Sequence, residues 1–210
     1  MKNILYIHGA WASKNSFNYI VEKIKNTNNF FFEYELNKRV QSIAEDALSF
    51  AKENIKGKYS IIGHSLGGII GHKIAELDEN CEELLTLASP YGGTFVGSIA
   101  HTMKNMEEYI QNMNFLNFTE VLKNSIIFSD IFPNSEFLNS LKELKNTFHA
   151  SVICTGGKIP LFNEKHDNVV TVSSQEKSPT NIKVYFDSTH NEILLREETI
   201  RVIEKWFFDY

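Results

Sequence analysis

Residues 59–70 read Tyr59-Ser60-Ile61-Ile62-Gly63-His64-Ser65-Leu66-Gly67-Gly68-Ile69-Ile70, and two periodicities meet inside this stretch. Residues 59–62 form a short, mostly apolar run that ends at Gly63, the pattern of a buried strand. From Leu66 to Leu77 the apolar residues recur at helical spacing. Ser65 therefore stands on a sharp turn from strand to helix. Glycines two before and two after it, Gly63 and Gly67, relieve the crowding such a turn creates. The helix that follows directs its N-terminus at the same point, where its dipole favours developing negative charge.

Working outward, the alternation repeats. Residues 3–7 are predicted as a strand, and residues 16–25 carry Phe17, Ile20, Val21 and Ile24 on one helical face. A second strand is expected over 30–36. Residues 41–55 place Ile43, Ala44, Ala47, Leu48, Ala51 and Ile55 at helical spacing. Strands are predicted again at 84–88, 151–155 and 182–186, with a closing helix over Glu197–Phe208. Strands separated by helices imply right-handed βαβ units and hence an α/β fold with a mostly parallel sheet. The pattern does not fix the order of strands in that sheet.

Residues 92–147 differ in character. Met103, Met106, Tyr109, Ile110 and Met113 lie three and four apart, and Asn134 and Ser135 are helix-start signals before Phe137, Leu138, Leu141 and Leu144. With no strand pattern present, this segment reads as a helical lid or cap inserted over the carboxyl end of the sheet, within a single domain spanning 1–210. Six of the 16 phenylalanines fall here: Phe95, Phe115, Phe118, Phe128, Phe132 and Phe137. They suit either an apolar acyl pocket or the private core of a small cap.

The bulk properties exclude some functions. A net charge of −5 disfavours binding to a phosphate backbone, so no nucleic-acid partner is expected. Two cysteines, Cys81 and Cys154, have neither metal-site spacing nor the density of a disulfide framework. No metal is expected. The apolar run at the start is too short for a signal peptide and no segment has the length of a membrane span, so the expectation is a cytoplasmic protein without stable membrane insertion.

The segment Gly63-His64-Ser65-Leu66-Gly67-Gly68 resembles the nucleophile elbow of the α/β-hydrolases, especially lipases and related esterases. Tyr6-Ile7-His8-Gly9-Ala10-Trp11 resembles the His-Gly loop that follows an early strand in that family. Leu87-Ala88-Ser89-Pro90-Tyr91-Gly92-Gly93 resembles a strand-and-loop segment of lipase-like members. The resemblance implies Ser65 as nucleophile, with an oxyanion hole formed by the backbone N–H groups of Ala10 and Leu66.

The family orders its triad serine, acid, histidine. Of the seven histidines, His8 and His64 precede Ser65, His72 falls in the elbow's helix and His101 in the insertion. Among His149, His166 and His190, the last follows a predicted strand through a short loop, where the family carries its base. For the acid, Lys165-His166-Asp167-Asn168-Val169-Val170 resembles the family's Asp-x-x-Val segment and points to Asp167, with Asp130, Glu164 and Asp187 as rivals. Trp11, Tyr91, Phe115 and Phe128 are expected to contact substrate. The implied reaction is hydrolysis of a small-molecule or lipid-like carboxylic ester through an acyl-enzyme, without a cofactor. The same triad would serve an acyltransferase or thioesterase, and a binding protein that kept the fold would use none of it.

Overall fold

Strands β1 (Lys2–Ile7), β2 (Thr27–Phe32), β3 (Tyr59–His64), β4 (Cys81–Leu87), β5 (Phe148–Cys154) and β6 (Lys183–Phe186) pair in the order β2-β1-β3-β4-β5-β6. Each neighbouring pair is parallel. The computed structural model describes residues 1–94, 126–158 and 164–208, excluding the side chains of residues 126 and 128.

Both faces of the sheet are covered, which explains why its central strands are apolar runs rather than alternating ones. Every residue of β3 is buried. Leu5, Ile7 and Ile61 pack beneath helices α2 (Val40–Asn54) and α3 (Leu66–Leu77). The alternate residues Ile4, Tyr6 and Ile62 face α1 (Asn18–Lys23) and the C-terminal helix, Glu197–Phe208. That last helix buries Thr199, Ile200, Ile203, Trp206 and Phe207, the stripe expected of a helix lying on a sheet.

The second strand occupies Thr27–Phe32 rather than 30–36. Its register ends where Ile7 pairs with Phe32, since β1 offers no further partner. Tyr34 instead turns onto the loop after β1, stacks on His8 and donates its hydroxyl to the His8 carbonyl at 2.8 Å.

Within the expected lid, the described part holds two short helices, α4 (Ile126–Asp130) and α5 (Glu136–Ser140). Ser135 caps α5 by accepting from Leu138 N, but the helix stops at Ser140, before Leu141 and Leu144. Ile127, Ile131, Leu138 and Leu141 join the core shared with α2 and α3. Residues 95–125, including Met103, Met106, Tyr109, Ile110, Met113 and Phe115, lie outside the described residues. Among the described residues no helix is long and apolar enough to cross a membrane.

From β1 the chain runs to β2 on one side, and β3 pairs on the other. The sheet order thus reverses at β1, and the carboxyl ends of β1 and β3 flank the crevice where open α/β sheets bind ligands.

Candidate active site

Ser65 stands at that crevice with φ 54° and ψ −124°, a backbone conformation costly for any residue with a side chain. Its N–H donates to Leu87 O at 2.8 Å, tying the turn to the end of β4. The glycines around it are fixed by backbone contacts. A Cβ on Gly63 would stand 2.5 Å from Gly67 O, and one on Gly67 would stand 2.0 Å from Ile7 O. These glycines therefore also let the first turn of α3 reach the end of β1.

The next element is the loop after β1. His8 Nδ1 donates to Gly9 O at 2.8 Å, and Ala12 N donates to the same carbonyl at 3.2 Å. A trans peptide sends its C=O and N–H in opposite directions, so holding Gly9 O fixes where Ala10 N–H points. Burial lowers the His8 pKa, which favours the neutral ring. Trp11 follows with φ 54°. Ala10 and Leu66 line one cavity, and neither N–H has an acceptor among the described residues.

Histidine and acid meet across the loops after β5 and β6. His190 Nδ1 lies 2.7 Å from Asp167 Oδ2, and His190 N donates to Asp167 O at 2.8 Å. Asp167 is fully buried. Its Oδ1 accepts from Val169 N at 2.9 Å and Val170 N at 2.7 Å, a turn made possible by Asn168 at φ 84°. Its Oδ2 takes a second donor, Gln175 Nε2, at 3.2 Å. Four donors thus fill the acceptor positions of the carboxylate.

His64 supports the same loop, donating from Nε2 to His190 O at 2.8 Å, with ring centroids 4.8 Å apart. Burial, the nearby His190 and, more weakly, His8 push the His64 pKa down to about 3, so its ring is neutral.

Ser65 and His190 line the same cavity of about 360 Å³ with His64, Ala10, Leu66 and Trp11. No hydrogen bond joins Ser65 Oγ to the His190 ring among the described contacts; such bonds are often long before substrate binds. Ile131, Val169, Val170, Leu194 and Leu195 complete an apolar wall, and no Asp, Glu, Lys or Arg lines it among the described residues.

The remaining candidates fall elsewhere. Tyr91, expected at the substrate, is only 4% exposed and does not line the cavity, its hydroxyl 3.2 Å from His72 Nδ1 and 3.3 Å from His149 Nε2. The correction has a physical cause: a buried phenol needs a polar partner, and this histidine pair supplies two. Phe115 and the side chain of Phe128 lie outside the described residues. Asp130 caps α2, Glu164 and Asp187 are exposed, and His166 accepts from Asn168 N. Gln175 was missed by the sequence reading. Among the described residues no group of three or more His, Cys, Asp or Glu could hold a metal ion.

No family model and no curated protein matches the chain. Solved structures do. A lipase-esterase related protein from Clostridium acetobutylicum is 14% identical, with 98% of this chain and 94% of that one covered at a TM-score of 0.66. The mature Bacillus licheniformis lipase BlEst2 is 16% identical, with coverage of 96% and 90% and a TM-score of 0.63. An α/β-hydrolase enzyme, MGS-MChE2, from a lagoon-sediment metagenome is 15% identical, with coverage of 99% and 91% and a TM-score of 0.67.

Proposed function

The chain has the α/β-hydrolase fold, and from its site we propose that it is a serine hydrolase of carboxylic esters, with Ser65 as nucleophile, His190 as general base and Asp167 as the group that orients it. The observation that carries this reading is the 2.7 Å contact between His190 Nδ1 and buried Asp167, made by a histidine that shares one cavity with the strained Ser65.

In the proposed reaction, Ser65 Oγ attacks the ester carbonyl carbon while its proton passes to His190 Nε2. Negative charge gathers on the former carbonyl oxygen, and the N–H groups of Ala10 and Leu66 receive it. One such donor is worth about 3 kcal/mol of transition-state stabilisation. Collapse breaks the bond to the alkoxide, which leaves with the proton from His190. Water then attacks the acyl-enzyme with His190 again as base, releasing the acid and restoring Ser65. Asp167 remains ionised and holds the Nδ1–H tautomer throughout.

The uncharged, mostly apolar wall favours neutral acyl and alcohol groups near the scissile bond, because a buried unpaired charge is costly. The test compares wild type with correctly folded Ser65→Ala on p-nitrophenyl esters from acetyl to palmitoyl. Loss of hydrolysis in the variant supports the reading, while equal rates in the two proteins overturn it. Acyl transfer to added alcohols in preference to water would reassign the chain as an acyltransferase.

A further inference from the structure

Gln175 lies on the short helix α6 (Val172–Glu176), in a run of polar residues that looks like surface, yet it is 1% exposed. Its Oε1 accepts from Cys154 N at 2.8 Å, and its Nε2 donates to Cys154 O at 3.1 Å. The side chain thus pairs with both polar groups of the last residue of β5, as a neighbouring strand would. The amide orientation follows from its partners: Cys154 O, Val170 O and Asp167 Oδ2 surround Nε2 and can only accept, whereas Cys154 N can only donate.

Asp167 Oδ2 consequently sits between two donors, Gln175 Nε2 at 3.2 Å and His190 Nδ1 at 2.7 Å. Resting on the triad proposed above, we infer that Gln175 is a positioning residue: it fixes the carboxylate rotamer that meets His190 and draws charge from the oxygen facing the imidazole. The end of β5, the acid and the base then form one hydrogen-bonded unit. A carboxylate without this donor would turn more freely and would attract a proton onto His190 more strongly.

A structural role alone would lower stability and leave the chemistry of the remaining folded molecules unchanged. The experiment therefore reads protonation as well as rate. Gln175→Glu keeps an acceptor for Cys154 N and loses the donors when ionised; Gln175→Met removes the donors without adding charge. For both variants, kcat is expected to fall on the order of tenfold or more, with KM little changed. The acid limb of the kcat/KM profile should move to higher pH, by about one unit in Gln175→Glu and less in Gln175→Met. NMR titration of the His190 ring should move the same way, and it needs no substrate.

Unmoved titrations in both variants, with activity loss matching only the unfolded fraction, would overturn the inference. A shift confined to Gln175→Glu would also overturn it, by assigning the effect to the added charge. Ring shifts in both variants of a protein that shows no Ser65-dependent hydrolysis would sink the proposed function while upholding the positioning of His190.

Discussion

Arg39 Nη2 meets Asp130 Oδ1 at 2.8 Å, pairing a half-exposed guanidinium with a buried carboxylate. The other oxygen of Asp130 accepts from Val40 N at 2.8 Å, so a residue ninety positions downstream caps the first turn of α2. Asp130 is thereby a structural clasp. Asp130→Asn is expected to cost about 1–3 kcal/mol in urea unfolding and to leave kcat within about tenfold of wild type. Asp167→Asn, by contrast, should lower kcat by about 10⁴-fold with a modest stability change. Reversed outcomes would exchange the two roles.

Gly67 makes a sharper test of the elbow than Ser65 does. Gly67→Ala drives a methyl into the backbone at Ile7 O and His8 O, 2.0 and 2.5 Å away, where no side chain can give way. The variant should lose several kcal/mol of stability or fail to fold. Gly57→Ala is the control: φ is +80° but nothing lies within 4 Å, so only backbone strain of about 1 kcal/mol is expected. Thermal unfolding of the pair separates close packing from strain.

Acid stability should follow the buried histidines. The pKa values of His64 and His149 are each pushed down to about 3, mainly by burial, against 6.5 in an unfolded chain. Below 6.5 the unfolded chain takes up protons that the folded protein refuses. Their contribution is complete above pH 6.5 and is lost as pH falls toward 3, on the order of 1 kcal/mol per pH unit for each ring. Urea midpoints at pH 7.5, 6 and 5 read the slope above most carboxylate titration. His149→Asn should flatten it, and an unchanged slope would remove His149 from the account.

Tyr91→Phe should leave ester hydrolysis unchanged and lower stability by about 1–2 kcal/mol. The hydroxyl bridging His72 and His149 disappears while the ring remains in the core. A raised KM with unaltered stability would return Tyr91 to the substrate.

The strands and the elbow were legible because a sheet covered on both faces leaves uninterrupted apolar runs, and a strand–serine–helix junction needs glycine at fixed offsets. The pairing of Asp167 with His190 was legible from chain order in a resembling family. Strand order was not, since parallel crossovers to either side of β1 look alike in sequence. Gln175 was hidden by the company of Ser173, Ser174 and Glu176; its burial comes from bonding Cys154, where β5 runs past its last paired residue on β4, which no local pattern reports. Tyr91 was misplaced because its position beside the site said nothing about its direction, and His72 and His149 lie far from it in the chain.

The reversal of strand order at β1 also divides the labour of folding. Ser65 and both candidate oxyanion donors follow directly after β1 and β3, two strands that pair with each other and lie early in the chain. Asp167 and His190 lie beyond β5, whose pairing with β4 sets Glu83 beside Phe148 across a long intervening segment. Such distant pairings bear the larger loop-closure entropy and form late. A refolding molecule is therefore expected to place Ser65 before it brings Asp167 and His190 together, and to regain any Ser65-dependent hydrolysis only once its C-terminal third is in place. In stopped-flow refolding, burial of Trp206 in the closing helix should precede or coincide with the return of hydrolysis.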